Sequence, residues 1–182
     1  MLIKFKNHSP KLGQNVFVAE GAKIIGEIEI GDESSIWFNC VLRADVNFIK
    51  IGKRTNIQDL STVHVWHREF DEKGKLKDAG FPTIIGDDVT IGHNCVIHAC
   101  VIKNRVLIGM NAVIMDNALI EEDSIVGAGS VVTKGKKFPP RSLMLGNPAK
   151  FVRELNDEEV SFLKQSALNY VDFKNEFLKD LQ

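Results

Sequence analysis

The sequence predicts an all-β solenoid, a parallel β-helix of hexapeptide repeats followed by a C-terminal α-helix. Three observations predict it. Aliphatic residues recur every six positions at Val18, Ile24, Ile30, Ile36, Leu42, Ile51, Ile57, Val63, Ile85, Ile91, Ile97, Ile102, Ile108, Ile114, Ile120, Val126 and Val132, seventeen hexads in all. The fifth residue of each hexad is small or β-branched almost throughout, as at Ser34, Cys40, Val46, Thr55, Ser61, Val89, Cys95, Val101, Ala112 and Ser130. Glycine often follows the aliphatic residue, as at Gly31, Gly52, Gly86, Gly92, Gly109 and Gly127. A period of six fits neither the 3.6 of an amphipathic helix nor a long alternating strand. It fits short strands folded at corners, so that one large and one small residue per hexad fill the axis.

Residues 1–140 read as the β-helix domain. Hexads of this kind resemble the left-handed β-helix family, with three flat faces and about eighteen residues per turn. The hand comes from that resemblance, since right-handed crossovers are the general rule. Three hexads to the turn give about six turns, and rungs ~4.8 Å apart give a prism ~29 Å tall. The phase breaks in three places. Phe48 to Lys50 adds residues, the step from Ile97 to Ile102 is one short, and residues 66–82, WHREFDEKGKLKDAGFP, leave the repeat as a charged excursion from one corner. Residues 141–182 read as a linker and a helix whose apolar stripe runs through Val160, Leu163, Ala167, Tyr170 or Val171, Phe177 or Leu178, and Leu181. Asn156 and Glu159 have the spacing of a capping box. The stripe is expected to pack along the prism.

With 182 residues, 44% hydrophobic content and a net charge of −1, the chain reads as one soluble domain with an appended helix. No basic patch points to nucleic acid, and no long apolar run points to a membrane. The N-terminus MLIKFKNHSP lacks a signal-peptide core, so a cytoplasmic location is expected. Three cysteines without CxxC spacing argue against a disulfide framework. Cys40 and Cys95 fall in the small slot, where a free thiol acts as a compact hydrophobe; Cys100 lies one position earlier.

Three histidines carry the chemistry. Residues in the same slot three hexads apart stand in one column. His64 follows Val63 and His98 follows Ile97, which puts both in one slot of one face, a rung apart. That spacing suits two imidazoles converging on one zinc ion, with Zn–N distances near ~2.1 Å. His93 lies two positions after Ile91 on the adjacent face and points away from that column. A three-fold assembly resolves this, because one subunit's face then meets the adjacent face of the next. The expected arrangement is a homotrimer in which each metal takes His64 and His98 from one subunit and His93 from its neighbour. The same counting puts Arg43 in the column of His64 and His98, and Gln58 and Asp59 on the face of His93, with Asp59 in its slot one turn below.

The stretch RADVNFIKIGKRTNIQDLSTVHV, with IGDDVTIGHNCVIHAC and LIGMNAVI after it, resembles the γ-class carbonic anhydrases and their relatives, over nearly the whole chain. The resemblance implies reversible hydration of carbon dioxide to bicarbonate by a metal-bound hydroxide between subunits, a zinc-dependent lyase activity. Its metal ligands would be His64, His93 and His98. Arg43 and Asp45 would form an ion-pair network at the seam with Asp59 as a further acidic member, and Gln58 would orient the water. Histidine ligands also accept iron(II) and cobalt(II). The chain departs from the fully active pattern at Val46, where a glutamate is expected directly after the aspartate. His67 and Glu69 can serve in its place, and low turnover is expected.

Two other readings stand beside this one. Many hexapeptide proteins transfer acyl groups from coenzyme A, and LGNPAK (residues 145–150) resembles a stretch shared with those acetyltransferases. They need one histidine as base, not three convergent ones. A trimer stabilised by metal and serving only as a scaffold is the non-enzymatic alternative.

Overall fold

The computed structural model describes residues 1–180; Leu181, placed on the helix stripe by its periodicity, lies outside them. The chain forms a parallel β-solenoid whose strands stack in three columns. One column holds Ile24, Leu42, Val63, Ile97, Ile114 and Val132 in register. A second holds Leu12, Ile30, Ile51, Ile85, Ile102 and Ile120. The third holds Val18, Ile36, Ile57, Ile91, Ile108, Val126 and Met144. The coil is therefore longer than the roughly six turns counted from Val18 to Val132. Leu2–Ile3 and Lys11–Leu12 extend it below; Leu12 keeps the hexad spacing, six residues before Val18, whereas Leu2–Ile3 does not. Ser142–Gly146 extends it above, past residue 140, with Met144 wholly buried over Val126. Ala149–Glu154 then folds back antiparallel onto that last rung.

The large residue of each hexad fills the axis: Ile24, Ile36, Leu42, Ile57, Ile91, Ile97, Ile108 and Ile114 are all fully buried. The small slot is filled as expected by Ser34, Cys40, Thr55, Ser61, Val89, Cys95, Ala112 and Ser130. Two slot assignments are corrected where the phase breaks. The short step puts Cys100, not Val101, in the axis. Val46 is 40% exposed, because the residues added before Ile49 are taken up by a bulge: Gly26 pairs with Ala44 and Ile28 with Ile49 in the long strand Val41–Ile51.

Corner residues take positive φ, which favours short polar side chains. One corner turns this into a charge ladder. Glu33, Arg54, Asp88, Arg105, Asp123 and Arg141 all have φ between 51° and 60°. Arg54 forks onto Asp88 at 2.6 and 2.8 Å and Arg105 onto Asp123 at 2.6 and 2.9 Å. Like charges are never adjacent in this column, so a strand slipping by one rung would place like on like, which favours the observed register.

The excursion replaces a corner without adding a face, since Val63 stacks with Leu42 and Ile97, and Ile85 with Ile51 and Ile102. Its tip is a hairpin of Glu69–Phe70 and Leu76–Asp78. Its base is closed by the buried side chain of Asn47, whose amide donates to the carbonyls of Trp66 (3.0 Å) and Ala79 (2.8 Å). Gly80 is required there: its φ is +61°, and a Cβ would stand 2.1 Å from the His67 carbonyl oxygen.

The helix, α1 (Asp157–Asp180), starts with both arms of the capping box. The Asn156 side chain accepts from the Glu159 N–H at 2.8 Å, and the Glu159 carboxylate accepts from the Asn156 N–H at 3.0 Å. α1 packs on the third column of its own chain. The Ser166 hydroxyl meets that of Thr90 at 3.1 Å, and Tyr170 and Phe177 stack edge-on against Trp37. Lys174, with no exposed side-chain surface, reaches Glu33 at the foot of the charge ladder at 2.7 Å. This leaves the face carrying His64 and His98 uncovered by the helix.

Candidate metal centre

His64 and His98 are direct register partners on neighbouring strands. Their rings lie 5.1 Å apart, and His64 Nδ1 is 3.1 Å from His98 Nε2. The outer nitrogen of each ring belongs to an aspartate: His64 Nε2 lies 3.0 Å from Asp45 Oδ1, and His98 Nδ1 lies 2.8 Å from Asp116 Oδ1. Arg43 closes the lower end through an ion pair to the other oxygen of Asp45. A single row, Arg43, Asp45, His64, His98, Asp116, thus runs up one face of the coil.

Proton counting shows what this row can hold. An ionised carboxylate only accepts hydrogen bonds, so each outer ring nitrogen must carry its hydrogen. If both imidazoles are neutral, the two inner nitrogens then face each other as lone pairs at 3.1 Å. A cation between or beside them, a proton or a metal, satisfies both. Two nitrogens about 2.1 Å from a tetrahedral zinc lie about 3.4 Å apart, a few tenths more than observed. The residues therefore fit a metal. Burial lowers the pKa of His64 against the opposing pull of Asp45, with Arg43 adding to the depression. Burial acts to raise that of Asp45, but hydrogen bonds from His64, its own backbone and Arg43 hold it below the usual carboxylate range. A neutral imidazole beside an ionised carboxylate is the state a metal ligand needs.

His93 stands on the next face, in the column of Asp59. Its Nδ1 lies 2.7 Å from Asp59 Oδ2, and the other oxygen of Asp59 accepts the Phe38 N–H at 3.0 Å. Asp59 is thus not part of the Arg43 and Asp45 network within the chain; it holds His93, since register sets it directly beneath. With Nδ1 engaged, Nε2 of the half-exposed ring is left for a group outside the chain. Among the described residues no three His, Cys, Asp or Glu side chains of the one chain converge as a metal-binding set. His93 does not join His64 and His98 within a subunit.

Gln58 is buried on the face of His93, its amide donating to Asn56, which in turn donates to Thr90. It borders a hollow of about 290 Å³ beside His93, bordered also by Leu107 and Met110. His67 and Glu69 lie 3.6 Å apart, both about half exposed, and His67 lines a cleft of about 360 Å³ with Asp45 and Val46. Trp66 stands edge-on to the His98 ring at 6.4 Å. Burial pushes the thiols of Cys40 and Cys95 up to about 11 and raises Cys100 further, which disfavours their thiolates.

Two residues escaped the sequence reading. Asp116 could have been found by carrying the register count upward from His98, since it lies two positions after Ile114 on the next rung. Asn47 gave no signal, because its role depends on a bulge that spacing does not reveal.

The model of a family described as dynactin subunit 5 matches residues 12–175. Gamma carbonic anhydrase 2, mitochondrial, of Arabidopsis thaliana is 43% identical over 94% of this chain, which spans 59% of that relative's length. A carbonic anhydrase of Geobacillus kaustophilus is 40% identical over all of this chain and 93% of its own length. Among solved structures, a hexapeptide transferase family protein from Anaplasma phagocytophilum superposes with a TM-score of 0.88 at 39% identity, covering 97% of this chain and 98% of its own.

Proposed function

The chain belongs to the γ-carbonic anhydrase family, and from that membership we propose that it hydrates carbon dioxide reversibly at a metal shared between subunits of a homotrimer. His64 and His98 of one subunit and His93 of the next would hold the ion. The observation that carries this reading is that all three histidines are paired with aspartates at 2.7 to 3.0 Å. Each pairing leaves one ring nitrogen of each histidine free for a metal.

Zinc fits this donor set, and iron(II) or cobalt(II) can replace it. A metal held there would supply Lewis acidity of the kind that brings a water's pKa to about 7 in a carbonic anhydrase of another class. The chain's own residues do the rest. Arg43 keeps Asp45 ionised, and Asp45 keeps the His64 ring in place. Gln58, held by Asn56, presents a fixed amide beside His93 to orient water. The hollow bordered by Leu107 and Met110 suits an uncharged, apolar substrate such as carbon dioxide. One proton must leave for each bicarbonate formed. His67 shares a cleft with Asp45 and is the group placed to take it outward; Val46 cannot.

The Anaplasma relative is named a hexapeptide transferase family protein, and acyl transfer from coenzyme A is the second reading. It requires one histidine as base, a role that a carboxylate-paired imidazole can fill; what favours a metal here is that two such imidazoles, His64 and His98, face each other at 3.1 Å. Stopped-flow carbon dioxide hydration by zinc- or iron-loaded protein separates the readings. Wild type is expected to accelerate hydration, and His98→Ala to fall to the uncatalysed rate. Equal rates in the two would move the function to acyl transfer or to a scaffold.

A further inference from the structure

We infer that Asp116 is the positioning residue of His98, selecting its Nδ1–H tautomer so that Nε2 faces His64 before any metal arrives. The inference rests on reading His64 and His98 as metal ligands, but its own content is the protonation pattern of one ring. Asp116 sits one rung above His98 with Oδ1 2.8 Å from Nδ1. Its side chain is 17% exposed and that of His98 29%. Among the described residues its recorded ion pair is with His98 alone, so no arginine or lysine shares its charge.

The turn that carries the carboxylate is tied on both sides. The Asn117 N–H donates to the Ala99 carbonyl at 2.8 Å, and the Asp116 carbonyl accepts from the Gly135 N–H at 2.8 Å. Rungs above and below therefore hold Asp116 in place, and its ionised carboxylate can only accept. Hydrogen thus belongs on Nδ1, and the lone pair of the ring on Nε2, 3.1 Å from His64 Nδ1. A free imidazole in water favours the other tautomer, with hydrogen on Nε2, which would turn a blocked nitrogen toward the site. Asp45 acts in the same way on His64 from below, so the two aspartates bracket the pair.

The test uses the full-length protein and has a readout that does not involve catalysis. In ¹⁵N-labelled apo protein at slightly alkaline pH, two-bond ¹H–¹⁵N spectra report which ring nitrogen of His98 carries hydrogen. Wild type is expected to show the Nδ1–H form, and Asp116→Ala the Nε2–H form or a mixture. Asp116→Asn keeps a carbonyl oxygen that can accept the same hydrogen and should retain the wild-type pattern. Zinc affinity, measured by competition with a chromophoric chelator, should weaken about 10- to 100-fold in Asp116→Ala and far less in Asp116→Asn. An Nε2–H tautomer in wild type would overturn the inference without any variant, which also covers an Asp116→Ala chain that does not fold. Unchanged zinc affinity and an unchanged tautomer in a folded Asp116→Ala would do the same. Wild type that binds no zinc would instead sink the metal reading, and the tautomer would still decide the role of Asp116.

Discussion

Replacing His93 by alanine is expected to remove the metal from every site, even though this residue touches neither His64 nor His98 in its own chain. Wild-type protein purified without added zinc should carry about one divalent ion per chain by elemental analysis, and His93→Ala under about a tenth of that, because two imidazoles with open positions bind too weakly to survive purification. The fold should not change. The His93 side chain is 47% exposed and its ion-pair partner is Asp59, so circular dichroism and the thermal midpoint of the metal-free protein should stay close to wild type. Full metal content in His93→Ala would show that the seam is not shared.

The second large effect concerns stability. Ile108 is fully buried, stacked between Ile91 and Val126 on the axis. Ile108→Ala removes three methyl or methylene carbons from a rung that cannot collapse, since the strands above and below fix its spacing. The expected cost is roughly 2 to 5 kcal/mol in urea unfolding. Each turn of a solenoid is stabilised mainly by its neighbours, so the loss should also broaden the transition by uncoupling the two halves. Val96, in the same coil but 42% exposed, provides the contrast: Val96→Ala should cost less than about 0.5 kcal/mol. Similar costs for both would mean that burial along the axis does not dominate stability.

Much of this molecule was legible because a six-residue period converts sequence distance into spatial position. Once Val63 and Ile97 are placed in one column, His64 and His98 must be neighbours, and Asp59 must lie under His93; the registers Val63 to Ile97 and Ile57 to Ile91 are the observed ones. Legibility failed where the period failed. Leu2–Ile3 lies out of phase and joins the coil by backbone pairing, whereas Leu12, six residues before Val18, and Met144, twelve after Val132, carry the period past the aliphatic run. Spacing puts Val46 in an axial slot, and it stands outside because the inserted residues bulge. That bulge aims Asp45 at His64 and buries Asn47 under the excursion, neither of which spacing can specify. Charge pairing was hidden for a different reason. Glu33, Arg54, Asp88, Arg105, Asp123 and Arg141 are scattered through the sequence and become a ladder only when every corner is counted together. Within the chain Asp59 lies directly beneath His93 and pairs with it at 2.7 Å, a contact that follows from the register of Ile57 with Ile91.

Co-assembly of two defective chains tests the shared metal most directly. His93→Ala chains keep His64 and His98, and His98→Ala chains keep His93; alone, neither can complete a site. Trimers formed from equal amounts of both, co-expressed with different affinity tags and purified through each in turn, should regain the full ligand set at about a quarter to a third of their seams. Zinc content per chain should therefore rise from near zero in either variant to about that fraction in the mixture. A mixture as empty as its parents would contradict a site built from His64 and His98 of one subunit and His93 of the next.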